Sequence, residues 1–593
     1  MTHMCLYPYD AGAIGGTAVV RSAKANQACY SCRKQKRKCD KALPSCALCT
    51  RMSRFCDYSE TPPNPTVEDF EALRGRLAEL EAKLHDTVRQ VGTSSRSPPA
   101  DEIYQSQDSQ SYPADAVWKW GSSNTFDPAM FLDAKFFKDA SITVTRPTVD
   151  IPQEVLQYIG DPEQLQHSLS SYFSDIHPWF PVVPRKRINI TSSLWDGSPE
   201  STFLCLAMML MAWQPIDGLM ATRNYLYFAA KQFSAQLEHA GTVSLCYLQA
   251  LVLIALYEYS HGIYPAAWMT VGQCVRYADF VGLPSYKESN SILGQCATWL
   301  EAEERRRAWW AVYIVDKVIC LGSDKRPLCG EPSCNELLPV SDEAWDTGIA
   351  SLAVQHTVSS PRTDFQTAFG RLCQAALLVS EALRHCQRAK LLKLQHEPPD
   401  HSEATGLIEA AYGLSTRLQA EVVAQPKRYL PIIPAHCIAY SVIFRIIETY
   451  LSDLPRGTAP IPGLQDTMWS NENLAVQLMA FESRKKTIVD MCDVSGNINA
   501  CTPHKEDLAK MSPFVLNAIY STGVTLSWLR GESSDSGTSI NLEVIKKCLL
   551  GLSGRWGLAS EYMTLLEQHG IHAMSSYPMP LAGVPLMVTG MPL

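Results

Sequence analysis

Cys29, Cys32, Cys39, Cys46, Cys49 and Cys56 follow the spacing C-x2-C-x6-C-x6-C-x2-C-x6-C, and the second half of the pattern repeats the first. With Cys at 20 of 593 positions, the chance of that spacing arising anywhere in the chain is about 3 in 100,000. Intracellular thiols stay reduced, so a dense group of them binds metal rather than pairing as disulfides. Thiolate sulfur suits zinc, which prefers four tetrahedral ligands. Six cysteines therefore serve one site with two spares or two sites that share two sulfurs. The repeat favours the shared pair. Each half supplies three ligands, each metal takes its fourth from the other half, and Cys29 and Cys46 become the bridges.

The segment is basic. Residues 21–60 carry ten basic and three acidic side chains, while the whole chain has 52 basic against 60 acidic. A basic module on a large acidic body is the electrostatic footprint of a nucleic-acid binder with attached regulatory mass. Five of the six residues between Cys32 and Cys39 are cations: Arg33, Lys34, Lys36, Arg37 and Lys38, with Gln35 among them. Such side chains neutralise phosphates and donate to guanine O6 and N7. The strip also suits a nuclear import signal.

Residues 28–57, ACYSCRKQKRKCDKALPSCALCTRMSRFCD, resemble the Zn2Cys6 binuclear cluster of fungal transcription factors. The resemblance implies that Cys29, Cys32, Cys39 and Cys46 hold one zinc and Cys46, Cys49, Cys56 and Cys29 the other. It further implies that the helix from the second cysteine enters the major groove of double-stranded DNA and reads a CGG-like triplet, as paired half-sites bound by a dimer. Lys36 matches the base-contacting lysine of that family, and Pro44 the proline between the halves. Gln35 stands where a second basic residue is usual.

Beyond Pro62, Pro63 and Pro65, Thr66 and Asp69 mark a helix start, and the helix is expected over 67–91. Phe70, Leu77, Leu84 and Val91 fall at heptad a, and Leu73 and Leu80 at d, with Thr87 breaking the seam. In a parallel pair Asp69 faces Arg74 and Arg76 faces Glu81, both opposite in charge. A short coiled coil joining a homodimer is the expectation. Residues 92–150 are rich in Ser, Gln, Pro and Asp and read as a mostly disordered linker.

From residue 151 to 574 the pattern is helical. Leu226, Ala230, Phe233 and Leu237 share one helix face; Trp268, Val271, Val275 and Ala278 share another, in a helix ended by Gly282 and Pro284. The fold class is all-α outside the cluster. Three stretches, SYFSDIHPWFPVVPRKRI from Ser171, AAWMTVGQCVRYADFVGLP from Ala266 and ERRRAWWAVYIVDKVICLGSDKRP from Glu304, resemble the fungal-specific transcription factor regulatory domain, or middle homology region. Arg305, Arg306 and Arg307, with Glu301, Glu303 and Glu304, read as a solvated face beside buried tryptophans. The fourteen cysteines outside the cluster read as small buried hydrophobes. The tail, 575–593, is uncharged and proline-rich: a flexible activation segment or a docked strand.

No uninterrupted apolar run reaches the roughly 18 to 20 residues of a membrane span; the longest lie at Phe203–Trp213 and Ala250–Tyr257. The N-terminus shows no basic n-region, and a secretory signal is not expected. No enzyme constellation emerges: His396–His401, HEPPDH, carries two prolines that forbid a zincin helix, and GLSGRWG from Gly551 lacks the spacing of a nucleophile elbow. The reading is a nuclear, zinc-dependent, sequence-specific RNA polymerase II transcription factor with two zinc ions per chain. It acts as a homodimer, contacts the transcription machinery, and is neither an enzyme nor a membrane protein. Family resemblance implies a pathway-specific activator of a secondary-metabolite gene cluster, the alternatives being control of catabolism or drug resistance, or repression. A metal-buffering protein would show dense C-x-C repeats rather than interleaved cations.

Overall fold

Short polar side chains mark where helices begin. Ser198, Asn224, Ser244, Thr298, Ser341, Thr367 and Asp400 each hold extended backbone and accept a hydrogen bond from an N–H of the following first turn. Such a cap contributes about 1 kcal/mol. The computed structural model describes residues 24–58, apart from 53 and 55, and residues 149–576, apart from the connections 160–161, 186–197, 216–220, 284–291, 362–363, 365, 396–398, 452–470 and 533–535. The expected dimer helix with Phe70, Leu73, Leu77, Leu80, Leu84 and Val91 lies outside the described residues, as do residues 92–148 of the linker and 577–593 of the tail.

The chain divides into two units, Met1–Pro113 and Ala114–Leu593. The first carries α1 (Tyr30–Lys34) and α2 (Ala47–Arg51). The second opens with α3 (Gln153–Ile159), α4 (Pro162–Asp175), α5 (Pro199–Ala212), α6 (Tyr225–His239), α7 (Leu245–Ser260) and α8 (Ala266–Phe280). Nearly every residue of α7 is buried, and a helix apolar on all sides belongs at a centre; α5, α6 and α8 pack around it. Then α9 (Trp299–Val318) lies against α7 and α8, and beyond the short α10 (Asp342–Thr347) it also contacts α11 (Ala368–Leu394).

The remaining helices are α12 (His401–Ala424), α13 (Tyr429–Leu451), α14 (Asn471–Cys501), α15 (Lys505–Ala509), α16 (Leu516–Glu532), α17 (Ser536–Ser553) and α18 (Gly557–Ser576). Here α13 is the hub, touching α11, α12, α14 and α16, while α17 and α18 close on α16. One hydrophobic core runs from Val155 to Leu566. Among the described residues the extended pairings are two isolated bridges, Lys24 with Ala42 and Leu337 with Thr357. The fold is all-α.

The periodic faces lie where the pattern put them: Ala230, Phe233 and Leu237 are buried in α6, and Val271, Val275 and Ala278 in α8. Gly282, at φ 83°, ends α8, with Leu283 N–H donating to Ala278 O at 2.9 Å. The segment Pro426–Tyr450, which charged residues interrupt, holds an 18-residue window of mean hydropathy 1.7, and 83% of that window is buried.

One expectation needs correction, that of a solvated charged face at the start of α9. Trp309 and Trp310 are buried, but Glu303, Glu304, Arg305 and Arg307 are buried as well. Arg307 donates to Glu303 at 2.9 Å, to Asp342 at 2.7 Å and to Val340 O at 2.8 Å, and Glu303 accepts the Val340 N–H at 2.9 Å. Buried charge persists when paired and hydrogen-bonded. The partners that make burial tolerable sit well downstream of α9, where helical spacing cannot reveal them. Arg555, between α17 and α18, is also buried and donates to the Met211 and Trp213 carbonyls at the end of α5. Eight of the scattered cysteines, such as Cys274 and Cys373, are buried, whereas Cys334 is exposed.

Candidate metal centre and nucleic-acid interface

The cysteine repeat is also a backbone repeat. Cys29 and Cys46 hold extended backbone as the N-caps of α1 and α2. Each five-residue helix turns its next cysteine, Cys32 or Cys49, into the interior. Both helices end alike: Arg37 N–H donates to Cys32 O at 3.0 Å, and Arg54 N–H to Cys49 O at 2.9 Å. In the first copy Lys36 N–H adds a bond to Arg33 O at 3.1 Å, which completes a Schellman closure with Lys36 in the left-handed region at φ 50°.

These turns gather the six thiols. The Sγ atoms of Cys29 and Cys46 lie 3.7 Å apart, those of Cys29 and Cys49 3.6 Å, and those of Cys32 and Cys46 3.8 Å. Cys29, Cys32, Cys39 and Cys46 form one group whose sulfurs all lie within 4.8 Å of one another, and Cys29, Cys46, Cys49 and Cys56 form a second. Sulfurs about 2.3 Å from a tetrahedral zinc stand about 3.8 Å apart, so the spacing fits two zinc ions, with Cys29 and Cys46 common to both groups.

The electrostatics fit as well. Burial raises the Cys29 thiol and lifts Cys49 to about 12. At Cys56 burial acts the same way but is outweighed, first by the Cys46 N–H donated to its sulfur at 3.3 Å, and the thiol falls to about 7. Dications between the groups offset the desolvation that opposes ionisation. A second ring of contacts braces the set. Tyr58 donates to Ala42 O at 2.6 Å, Gln27 Nε2 donates to Tyr58 O at 3.0 Å, and the Asp40 carboxylate accepts the Ala47 N–H at 3.2 Å. Sequence reasoning missed Gln27, Asp40 and Tyr58. They flank the cysteines at no telling interval, and only Asp40, ahead of a helix start, resembles a cap. The Leu43–Pro44 peptide is cis.

Arg33, Lys34, Gln35, Lys36, Arg37 and Lys38 are all exposed, on α1 and the turn that ends it. Arg33 Nη1 donates to Gln27 Oε1 at 3.1 Å, and Gln35 Oε1 accepts from Arg54 Nη1 at 2.6 Å. A cationic strip thus borders a neutral-to-anionic metal pocket on a module of fewer than forty described residues. Its chemistry is that of anion contact.

Residues 27–65 match the model of the fungal Zn(2)-Cys(6) binuclear cluster domain, and residues 169–381 that of the fungal specific transcription factor domain. The transcription factor BOA15 of Botryotinia fuckeliana is 34% identical over 183 residues, which are 30% of this chain and 98% of the relative. The depudecin biosynthesis cluster-specific transcription activator DEP6 of Fusarium langsethiae is 26% identical over 50% of this chain and 57% of its own length. The pigment biosynthesis transcriptional activator pigB of Monascus ruber is 21% identical over 91% of this chain and 93% of its own.

Proposed function

Because the chain belongs to the fungal Zn(2)-Cys(6) transcription factors, we propose that it activates a secondary-metabolite biosynthetic gene cluster, bound in the nucleus as a homodimer to paired CGG-like half-sites. One observation carries the pathway reading: the Monascus relative aligned over nine-tenths of both chains is named as an activator of pigment biosynthesis.

The work divides among the residues described. Two zinc ions, when bound, offset four of the six thiolate charges and tie the two halves together, the neighbouring cations meeting the rest. Cys29 and Cys46 are the bridging pair in this reading. Arg33, Lys34, Gln35, Lys36, Arg37 and Lys38 lie along the major groove, the cations neutralising phosphates and Lys36 donating to guanine. Phe70, Leu73, Leu77, Leu80, Leu84 and Val91 join two chains, which sets the half-site spacing. The helical body, 151–574, controls output through the transcription machinery and has no catalytic role.

Chromatin occupancy of the tagged protein in its own organism tests this. Occupancy confined to neighbouring promoters with paired CGG-like triplets is expected, together with loss of their transcripts on deletion. Dispersed occupancy, or raised transcripts after deletion, would overturn the pathway-specific activator.

A further inference from the structure

Gln35 and Arg54 occupy equivalent stretches of the two halves, just past the ends of α1 and α2, and their side chains meet at 2.6 Å. A guanidinium has donors and no acceptor, so the contact decides which end of the Gln35 amide is oxygen: Oε1 turns to Arg54 and Nε2 turns away. Both residues are exposed. The pair therefore stands at the surface of the module rather than inside its fold.

From this geometry we infer that Arg54 is a positioning residue that converts Gln35 into a donor-only reader of base edges and thereby sets which base the module accepts there. The inference rests on the DNA-binding reading above. A free glutamine pairs bidentately with adenine, accepting from N6–H2 and donating to N7. Here the Arg54 cation holds the oxygen, and an adenine amino group approaching the second lone pair meets a like partial charge. The Nε2 amide keeps two donors. Two donors match the two acceptors, O6 and N7, that guanine presents in the major groove. Gln35 with Arg54 thus offers the donors a lysine would offer, with the charge carried on Arg54 instead of at the tip that meets the base. Arg54 acts through Gln35 and through the distribution of charge, and Gln35 touches the base.

Binding selection with the full-length, zinc-loaded chain on duplexes randomised across one half-site tests this. Gln35→Ala identifies the base position that Gln35 reads, as the one position where preference flattens. At that position the wild type is expected to favour guanine over adenine. Arg54→Ala is expected to cut that ratio by about tenfold, within the range one bidentate contact supplies, and Arg54→Lys, which still donates, to restore most of it. Zinc content should stay at two ions per chain, since the closure at residue 54 is made by backbone. Arg54→Ala that weakens every duplex equally and leaves the ratio unchanged would overturn the positioning role while leaving DNA binding intact. A wild-type chain that selects no duplex at all would overturn both.

Discussion

The guanidinium of Arg307 lies 4.0 Å from the centre of the Trp345 ring, sandwiching a fully buried cation between an indole and the carboxylates of Glu303 and Asp342. Glu303 is fully buried too. Arg307→Ala takes from that carboxylate one of its two guanidinium partners, Arg306 being the other, and also removes the donor to Asp342 and Val340 O, so the loss should be about 3 kcal/mol. Urea unfolding of the full chain measures it. Replacing Glu303, Arg306 and Arg307 together by Met should recover part of the loss, because that triad then leaves no lone buried charge behind.

Lys36 separates fold from function in a single side chain. A non-glycine residue in the left-handed region costs about 1 kcal/mol, which glycine does not incur. Lys36→Gly should therefore hold both zinc ions at least as firmly against a chelator while DNA affinity falls about tenfold or more. Metal analysis and a duplex titration on the same sample decide it; loss of zinc would contradict the closure described for α1.

Chelation tests the larger dependence. Removing zinc should unfold the cysteine module, since in small metal domains binding energy is folding energy, and Cys32→Ala should do the same. Far-UV circular dichroism should change little, because the helices of the second unit bind no metal in this reading. DNA affinity should fall by about a hundredfold or more, the scale of losing many contacts at once.

His261 gives the body a pH dependence. Burial, then the Arg555 cation, lowers its pKa from 6.5 to about 3, and its Nδ1 accepts the Gly557 N–H at 3.2 Å. The unfolded chain takes up a proton that the folded ring refuses, so this group's contribution is full above pH 6.5 and declines as pH falls towards 3. By pH 5 the loss is about 2 kcal/mol. His261→Gln should remove that share of the difference between unfolding midpoints at pH 7 and pH 5; an unchanged difference would place the effect elsewhere.

Gly551 answers to space. A Cβ there would stand 2.8 Å from Thr502 Oγ1 and 2.9 Å from its Cβ. A β-branched neighbour yields little. Gly551→Ala should destabilise by about 1–3 kcal/mol despite the better helix propensity of alanine, as a lowered thermal midpoint will show.

What the sequence made legible follows from range. Cysteine spacing and the run of five cations between Cys32 and Cys39 are local, and so are the faces of α6 and α8 and the glycine that stops α8. Burial of Glu303 and Arg307 is not local, because Val340 and Asp342 satisfy them from another element. GLSGRWG looked like a failed catalytic motif. Its glycine allows close approach to Thr502, while its arginine and tryptophan are buried. The Gln35–Arg54 contact was equally hidden: nineteen positions separate its members, and only the paired helix endings bring them together.

Arg555 bonds the Trp213 and Met211 carbonyls across 342 and 344 residues. A nascent chain leaving the ribosome thus exposes the end of α5 without these donors until more than 340 further residues have been made, while the cysteine module, made well before Arg555, already has every zinc ligand it needs. Partly folded intermediates of large chains are what chaperones and proteases act upon. A premature stop late in the coding region would therefore silence the regulator through clearance of the unfinished body, with its zinc cluster still intact.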